Sequence, residues 1–123
     1  MQIFTFLLII PFFLLSQNNL VDSNGFKQGY WKLNFPYTDS LVSEEGFFVD
    51  DLEQGEWIRY HENGQIREVV NYKNGKLDGF RILINKRGRL VEQELFQNGK
   101  YDGRQIYLYD NGKISLDVFY QSG

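Results

Sequence analysis

Cysteine is absent, histidine occurs once and proline twice in the 123 residues. Without cysteine there is no disulfide framework, no lipid anchor on an N-terminal cysteine and no thiolate zinc site. If the chain is exported, packing alone must hold it together. The single histidine narrows the chemistry further. His61 is the one imidazole available to any nucleophile, and Ser40, Ser43, Ser115 and Ser122 have no glycine-flanked elbow around them. A metal at His61 would need carboxylates alone, so His61 reads as a solvent-facing strand residue beside a turn. No enzyme activity, metal or cofactor is expected.

Long apolar runs are also scarce. The only one lies at the start, where the first 16 residues carry no charge and Thr5 and Pro11 alone interrupt Ile3 to Leu15. A spanning helix needs roughly 20 apolar residues. The run reads as a secretory signal over residues 1–16, cleaved after Ser16, although no basic residue precedes it. An uncleaved membrane anchor is the alternative. The expected location is therefore secreted, periplasmic or cell envelope, or cytoplasmic if the leader is not a signal.

Net charge is −3, unevenly spread. Gln17 to Glu56 holds eight acids against two bases, whereas Trp57 to Gly123 holds eight acids against eleven bases. Neither part has the basic excess that nucleic acid requires.

What the sequence does have is a period. Gly55, Gly79 and Gly103 are 24 apart, as are Gly64, Gly88 and Gly112, and Gly75, Gly99 and Gly123. Ile58, Ile82 and Ile106 keep the same spacing, as do Tyr72, Phe96 and Tyr120. Between the glycines the pattern alternates with period two, which marks strands. Asn63-Gly64 and Asn111-Gly112 read as tight hairpin tips, with Arg87-Gly88 as a weaker version, and Asn74 to Gly79 as the longer connection. Each unit is then one hairpin. Stacked hairpins bury a stripe that none could bury alone. The stripe expected is Ile58, Tyr60, Ile66, Val70 and Tyr72 with their counterparts. The fold class is all-β, an antiparallel meander of 24-residue hairpin repeats.

Residues 17–54 read as a divergent N-terminal capping repeat. Asn24 to Gly29 echoes the later turn, but Gly29 to Gly55 is 26, two beyond the period, and the Asn34 to Gly46 stretch contains Pro36. Residues 55–123 hold the regular units, 55–78, 79–102 and 103–123.

Gly55-Glu56-Trp57-Ile58-Arg59-Tyr60, Asn63-Gly64 and Tyr72-Lys73-Asn74-Gly75-Lys76-Leu77-Asp78-Gly79 resemble MORN-type repeats, and more closely the bacterial variant in the YwqK family of antitoxins. The resemblance covers Asn24 to Gly123. It implies neutralisation of a partner toxin by binding; related eukaryotic repeats are associated with membrane lipids and scaffolding. It supplies no catalytic motif.

The remaining chemistry-bearing residues have plain readings. Glu92 and Glu94 are repeat positions on one strand face. Asp78 and Asp102 precede turn glycines and suit bonds to the turn backbone. Lys76 and Lys100, with Lys73, Lys86, Arg87 and Arg89, form a fringe that suits an anionic membrane surface or protects a sheet edge. A protein partner is expected at Trp57, Arg59, Leu83, Tyr107 and Tyr109, on the face opposite the stripe. Gly55, Gly64, Gly75, Gly79, Gly88, Gly99, Gly103 and Gly112 are the structural turns. The last strand, near Ile114 to Tyr120, is an open edge that invites a homodimer.

Overall fold

A computed structural model describes residues 18–121, and its regular elements are all strands. These are β1 (Leu20–Val21), β2 (Lys27–Asn34), β3 (Val42–Val49), β4 (Leu52–Tyr60), β5 (Ile66–Lys73), β6 (Lys76–Ile84), β7 (Leu90–Gln97), β8 (Lys100–Tyr101), β9 (Gly103–Leu108) and β10 (Ile114–Tyr120). They form one open, antiparallel meander sheet in chain order, with β8 and β9 both pairing with β7. The all-β hairpin array expected from the period is the observed fold. The expected leader and Gly123 lie outside the described residues.

The two kinds of turn are reversed relative to the expectation. Asn74-Gly75 and Asn98-Gly99 are the tight two-residue turns, with both residues at positive φ (50° and 77°, 52° and 84°). Asp50-Asp51 does the same work in the capping unit at φ 50° and 66°. The Asn63-Gly64 tip is longer. Gly64 N–H donates to His61 O and His61 N–H to Gln65 O, and the set recurs at 85–89 and 109–113. Only the glycine is left-handed there, so Arg87-Gly88 forms the same tip as Asn63-Gly64. Three-residue loops with a left-handed glycine are a standard hairpin class.

That longer tip changes the register. Trp57 pairs with Val70 and Ile58 with Val69. Paired residues share a face, so Ile58 and Val70 lie on opposite sides, and the single stripe expected from the sequence is split. A register shift of one residue moves a strand's whole apolar set across the sheet.

Each unit also carries a bulge. Glu45 pairs with Ile58 and Phe47 with Gln54, so β4 takes four steps where β3 takes two. β6 repeats this against β5, and β8–β9 accommodate a similar excess against β7. Gly55, Gly79 and Gly103 sit in these bulges at φ 76°, 91° and 106°. They are bulge residues rather than turn residues.

A bulge frees backbone groups on the facing strand, and side chains take them up. Trp57 Nε1 donates to Phe47 O at 3.0 Å. Forty-eight residues on, Gln105 Nε2 donates to Leu95 O at 2.8 Å, and Gln105 Oε1 accepts from Leu95 N at 2.9 Å. Trp31 Nε1 reaches Leu20 O at 3.2 Å. In the middle unit Asn71 Nδ2 donates to Asp78 O at 2.7 Å, which leaves Arg81 to turn elsewhere.

Neighbouring units are latched turn to turn. Gly75 N donates to Glu53 O and Gly99 N to Leu77 O. Asn98 N donates to Asp78 Oδ2 at 3.1 Å, so Asp78 serves the next unit's turn rather than its own. The apolar core is small: Phe48, Trp57 and Val70, flanked by Trp31, Tyr72 and Leu77. Edge-to-face aromatic packing orders it, with Phe48–Trp57 centroids 4.8 Å apart and Trp31–Phe48 5.9 Å apart.

Candidate functional site

The face that carries this core also carries a ladder of alternating charge. Arg59 Nε donates to Glu44 at 2.7 Å and Arg59 Nη1 to Glu68 at 3.1 Å. Arg81 Nε donates to Glu68 at 2.6 Å and Arg81 Nη1 to Glu94 at 3.1 Å. Tyr107 and Tyr101 hydroxyls donate to Glu94 Oε1 at 2.9 and 3.3 Å. Five charges thus cross β3 to β7 in strict alternation. Glu68 and Glu94 are buried at 7% and 2% exposure. Among the described residues no buried side-chain polar atom lacks a partner, which is the condition under which buried charge is tolerated.

Titration follows from these contacts. Burial opposes the Glu68 charge, but hydrogen bonding to Arg81 and attraction to both arginines outweigh it and hold the carboxyl below 4.5. Burial likewise opposes Arg59, yet the bonds to Tyr72 and Glu44 push its pKa up. Glu92 goes the other way: burial and the nearby Glu94 raise it. Its register explains why. On the following strand Glu44 faces Arg59, while the equivalent Glu68 and Glu92 face Leu83 and Tyr107. Glu68 keeps Arg59 directly opposite on its other side and takes Arg81 from the adjacent row, whereas Glu92 lies between Leu83 and Tyr107 with no arginine opposite.

Of the five residues expected to meet a partner, four lie on the ladder face and one at a hairpin tip. Trp57, Arg59 and Leu83 share the ladder face, and Tyr107 lies across from Glu92 on it. Trp57 is 1% exposed and is core, because its ring fills the bulge; it offers no surface to a partner. Arg59 is engaged by two carboxylates, and Tyr107 by Glu94. Tyr109 begins a hairpin tip and is exposed. His61 is not simply solvent-facing: its Nε2 lies 2.7 Å from Ile84 O, so that nitrogen carries the proton and ties the tip to β6. All eight glycines singled out from the sequence have positive φ. No group of three or more His, Asp or Glu among the described residues is placed to hold a metal.

The opposite face is apolar and open. Ile58, Val69 and Ile82 line up across β4, β5 and β6, and Ile106 continues the row on β9 beyond Gln93. None is buried. Phe47 (53% exposed), Leu95 and Phe119 (72%) extend the face. Sequence reasoning placed Ile58 and Ile82 in a buried stripe and missed this surface, since periodicity reports sidedness but not which side is covered. It also missed the ladder, whose signal was Glu44 and Glu68 at the 24-residue spacing beside Arg59, followed by Arg81 and Glu94.

Against known proteins, no curated protein and no solved structure matches the chain. Residues 53–74 match a MORN repeat variant. That segment is one hairpin, β4 through the His61–Gln65 tip to β5, with its bulge and core tryptophan included. The chain therefore contains a MORN-type repeat at residues 53–74, which suggests a repeat module with a binding role.

Proposed function

We propose that the chain is a non-catalytic protein-binding module of the cell envelope or secreted space, and that it binds through its apolar sheet face. The observation that carries this reading is the row Ile58, Val69, Ile82 and Ile106, left half-exposed and flanked by Phe47 and Phe119. Large contiguous apolar patches on soluble proteins mark interaction sites. The resemblance to YwqK-type antitoxins favours toxin neutralisation or immunity as the purpose of that binding. The reading of residues 1–16 as a secretory signal favours partners outside the cytoplasm.

The test is partner capture by the chain and by Phe47→Thr and Phe119→Thr. Both rings are exposed, although Phe47 also packs edge-to-face on Tyr30, so the loss of stability should not exceed about 1.5 kcal/mol. Capture should fall. Unchanged capture by the double variant would sink the proposal. Intact-mass analysis of the envelope fraction tests the location, since export predicts a species beginning near Gln17.

A second reading rests on the lysine fringe. Lys73 and Lys76 face one another across the Asn74-Gly75 turn, beside Asn98 of the next turn. Such a cluster suits anionic head groups. Salt-sensitive binding to anionic vesicles would support it.

A further inference from the structure

The capping unit's extra length builds something the regular units lack. Residues 35–41 form a loop closed by Phe35 N–H to Leu41 O at 3.0 Å and Thr38 N–H to Phe35 O at 3.1 Å. Tyr37 stacks on Phe35, centroids 5.8 Å apart, and its phenol leans towards Glu62 on the neighbouring hairpin tip. Between loop and tip lies a cleft of about 230 Å³. Its walls include Phe35, Leu41, Val42 and Tyr60, and its carboxylates are Glu45 and Glu62.

Glu45 is held in an unusual way. Its neighbours are the Tyr30 and Tyr60 phenols, and burial together with this carboxylate pushes Tyr30 up to about 12 and raises Tyr60. Lys32 sits opposite it in register but is exposed and forms no ion pair with it. Among the described residues neither Glu45 nor Glu62 forms an ion pair. On the other face Glu44, Glu68 and Glu94 each have an arginine, while Glu92, like Glu45, has none; what distinguishes Glu45 is that it lines the cleft. A half-buried carboxylate supported only by neutral donors, at the end of an apolar passage, is matched by a cation on an apolar stem.

We propose that this cleft receives a lysine side chain of the bound partner, its stem against Phe35, Leu41 and Tyr60 and its ammonium on Glu45, with Glu62 at the rim. This rests on the reading of the chain as a protein-binding module. It makes the departure from the 24-residue period the specificity element, while the apolar face supplies area.

The test uses the full chain and a blocked Gly-Lys-Gly peptide, followed by amide chemical shifts. The norleucine counterpart serves as the control. The lysine peptide should give saturable shifts at millimolar concentration, confined to residues near 35–45 and 60–64. The norleucine peptide should bind roughly three- to tenfold more weakly, the worth of a partly exposed charge pair. Glu45→Gln should erase the difference between the peptides. Should Glu45→Gln disturb the fold, Glu62→Gln, at the exposed rim, should reduce the difference instead. Equal binding of both peptides, absent shifts, or a lysine preference that survives both substitutions would overturn the proposal. The probe needs no natural partner, so its failure is separate from failure of Phe47 and Phe119 in partner capture.

Discussion

The indole of Trp57 lies over Gly46 on the adjacent strand, so close that a Cβ on Gly46 would sit less than 3 Å from three ring atoms. Gly46 has no turn to make. It is glycine because the ring needs the space, and the same position is Val70 and Glu94 in later units, where no tryptophan follows. Gly46→Ala should therefore destabilise by about 1–3 kcal/mol, the usual range for overpacking a filled site. Urea denaturation measures it. Combined with Trp57→Leu, the added methyl should cost much less than it does alone, because contacting residues are not additive. Equal costs in both backgrounds would show that the ring is not what excludes the side chain.

Gln105 should be less replaceable by an apolar residue than its complete burial suggests. Its amide accepts from Leu95 N and donates to Leu95 and Gly103 carbonyls. Leucine would fill the volume and leave the Leu95 N–H without that acceptor. A loss of about 1–3 kcal/mol is expected, the cost of a buried unpaired donor. Hydrogen exchange at the Leu95 amide should accelerate locally. An unchanged rate would mean the bulge finds its own partners.

Trp31, Trp57 and Gln105 show how far the sequence could be read. Repeat length, strand identity and the positive-φ glycines all follow from spacing, because turns and bulges demand residues that few others can replace. The faces were misassigned because one loop length was misread. Asn-Gly occurs at both turns, and nothing local distinguishes a two-residue loop from a three-residue loop. Trp57 and Gln105 occupy the same repeat position with unlike side chains. In three dimensions both side chains donate an N–H to a carbonyl freed by the equivalent bulge of their own unit, a role that composition does not reveal. The cleft around Glu45 was legible only as two surplus residues and a proline.

Arg81 holds two nearly buried carboxylates, and its removal should cost more than its own partial exposure suggests. Breaking a fully buried pair costs roughly 3–5 kcal/mol. Arg59 still supports Glu68, so about 2–4 kcal/mol is expected for Arg81→Met. The pH dependence has a definite sign. Glu68 is held below its ordinary 4.5, so its contribution is complete above that value and is lost as pH falls through the lower folded-state value. The gap between Arg81→Met and the parent should be widest near neutrality and narrow in acid. Chemical denaturation at several pH values decides it, and a gap independent of pH would remove the ladder from the explanation.

Glu68 and Glu92 occupy the same repeat position and should respond oppositely to the same substitution. Glu92 is raised by burial and by Glu94, so its charge works against the folded state. For a carboxyl whose folded value lies above the unfolded one, the penalty appears as pH rises through the unfolded value and is complete above the folded one. Glu92→Gln should therefore stabilise at neutral pH, by roughly 0.2–1 kcal/mol given its partial exposure. The gain should vanish well below pH 4.5, where both states carry the proton. Glu68→Gln should destabilise at neutral pH, because two arginines lose their shared carboxylate. Thermal melts of both variants at neutral and acid pH provide the comparison. Two shifts of the same sign at neutral pH would mean that the substitution of Leu83 for the arginine seen at Arg59 does not set the electrostatics of this row.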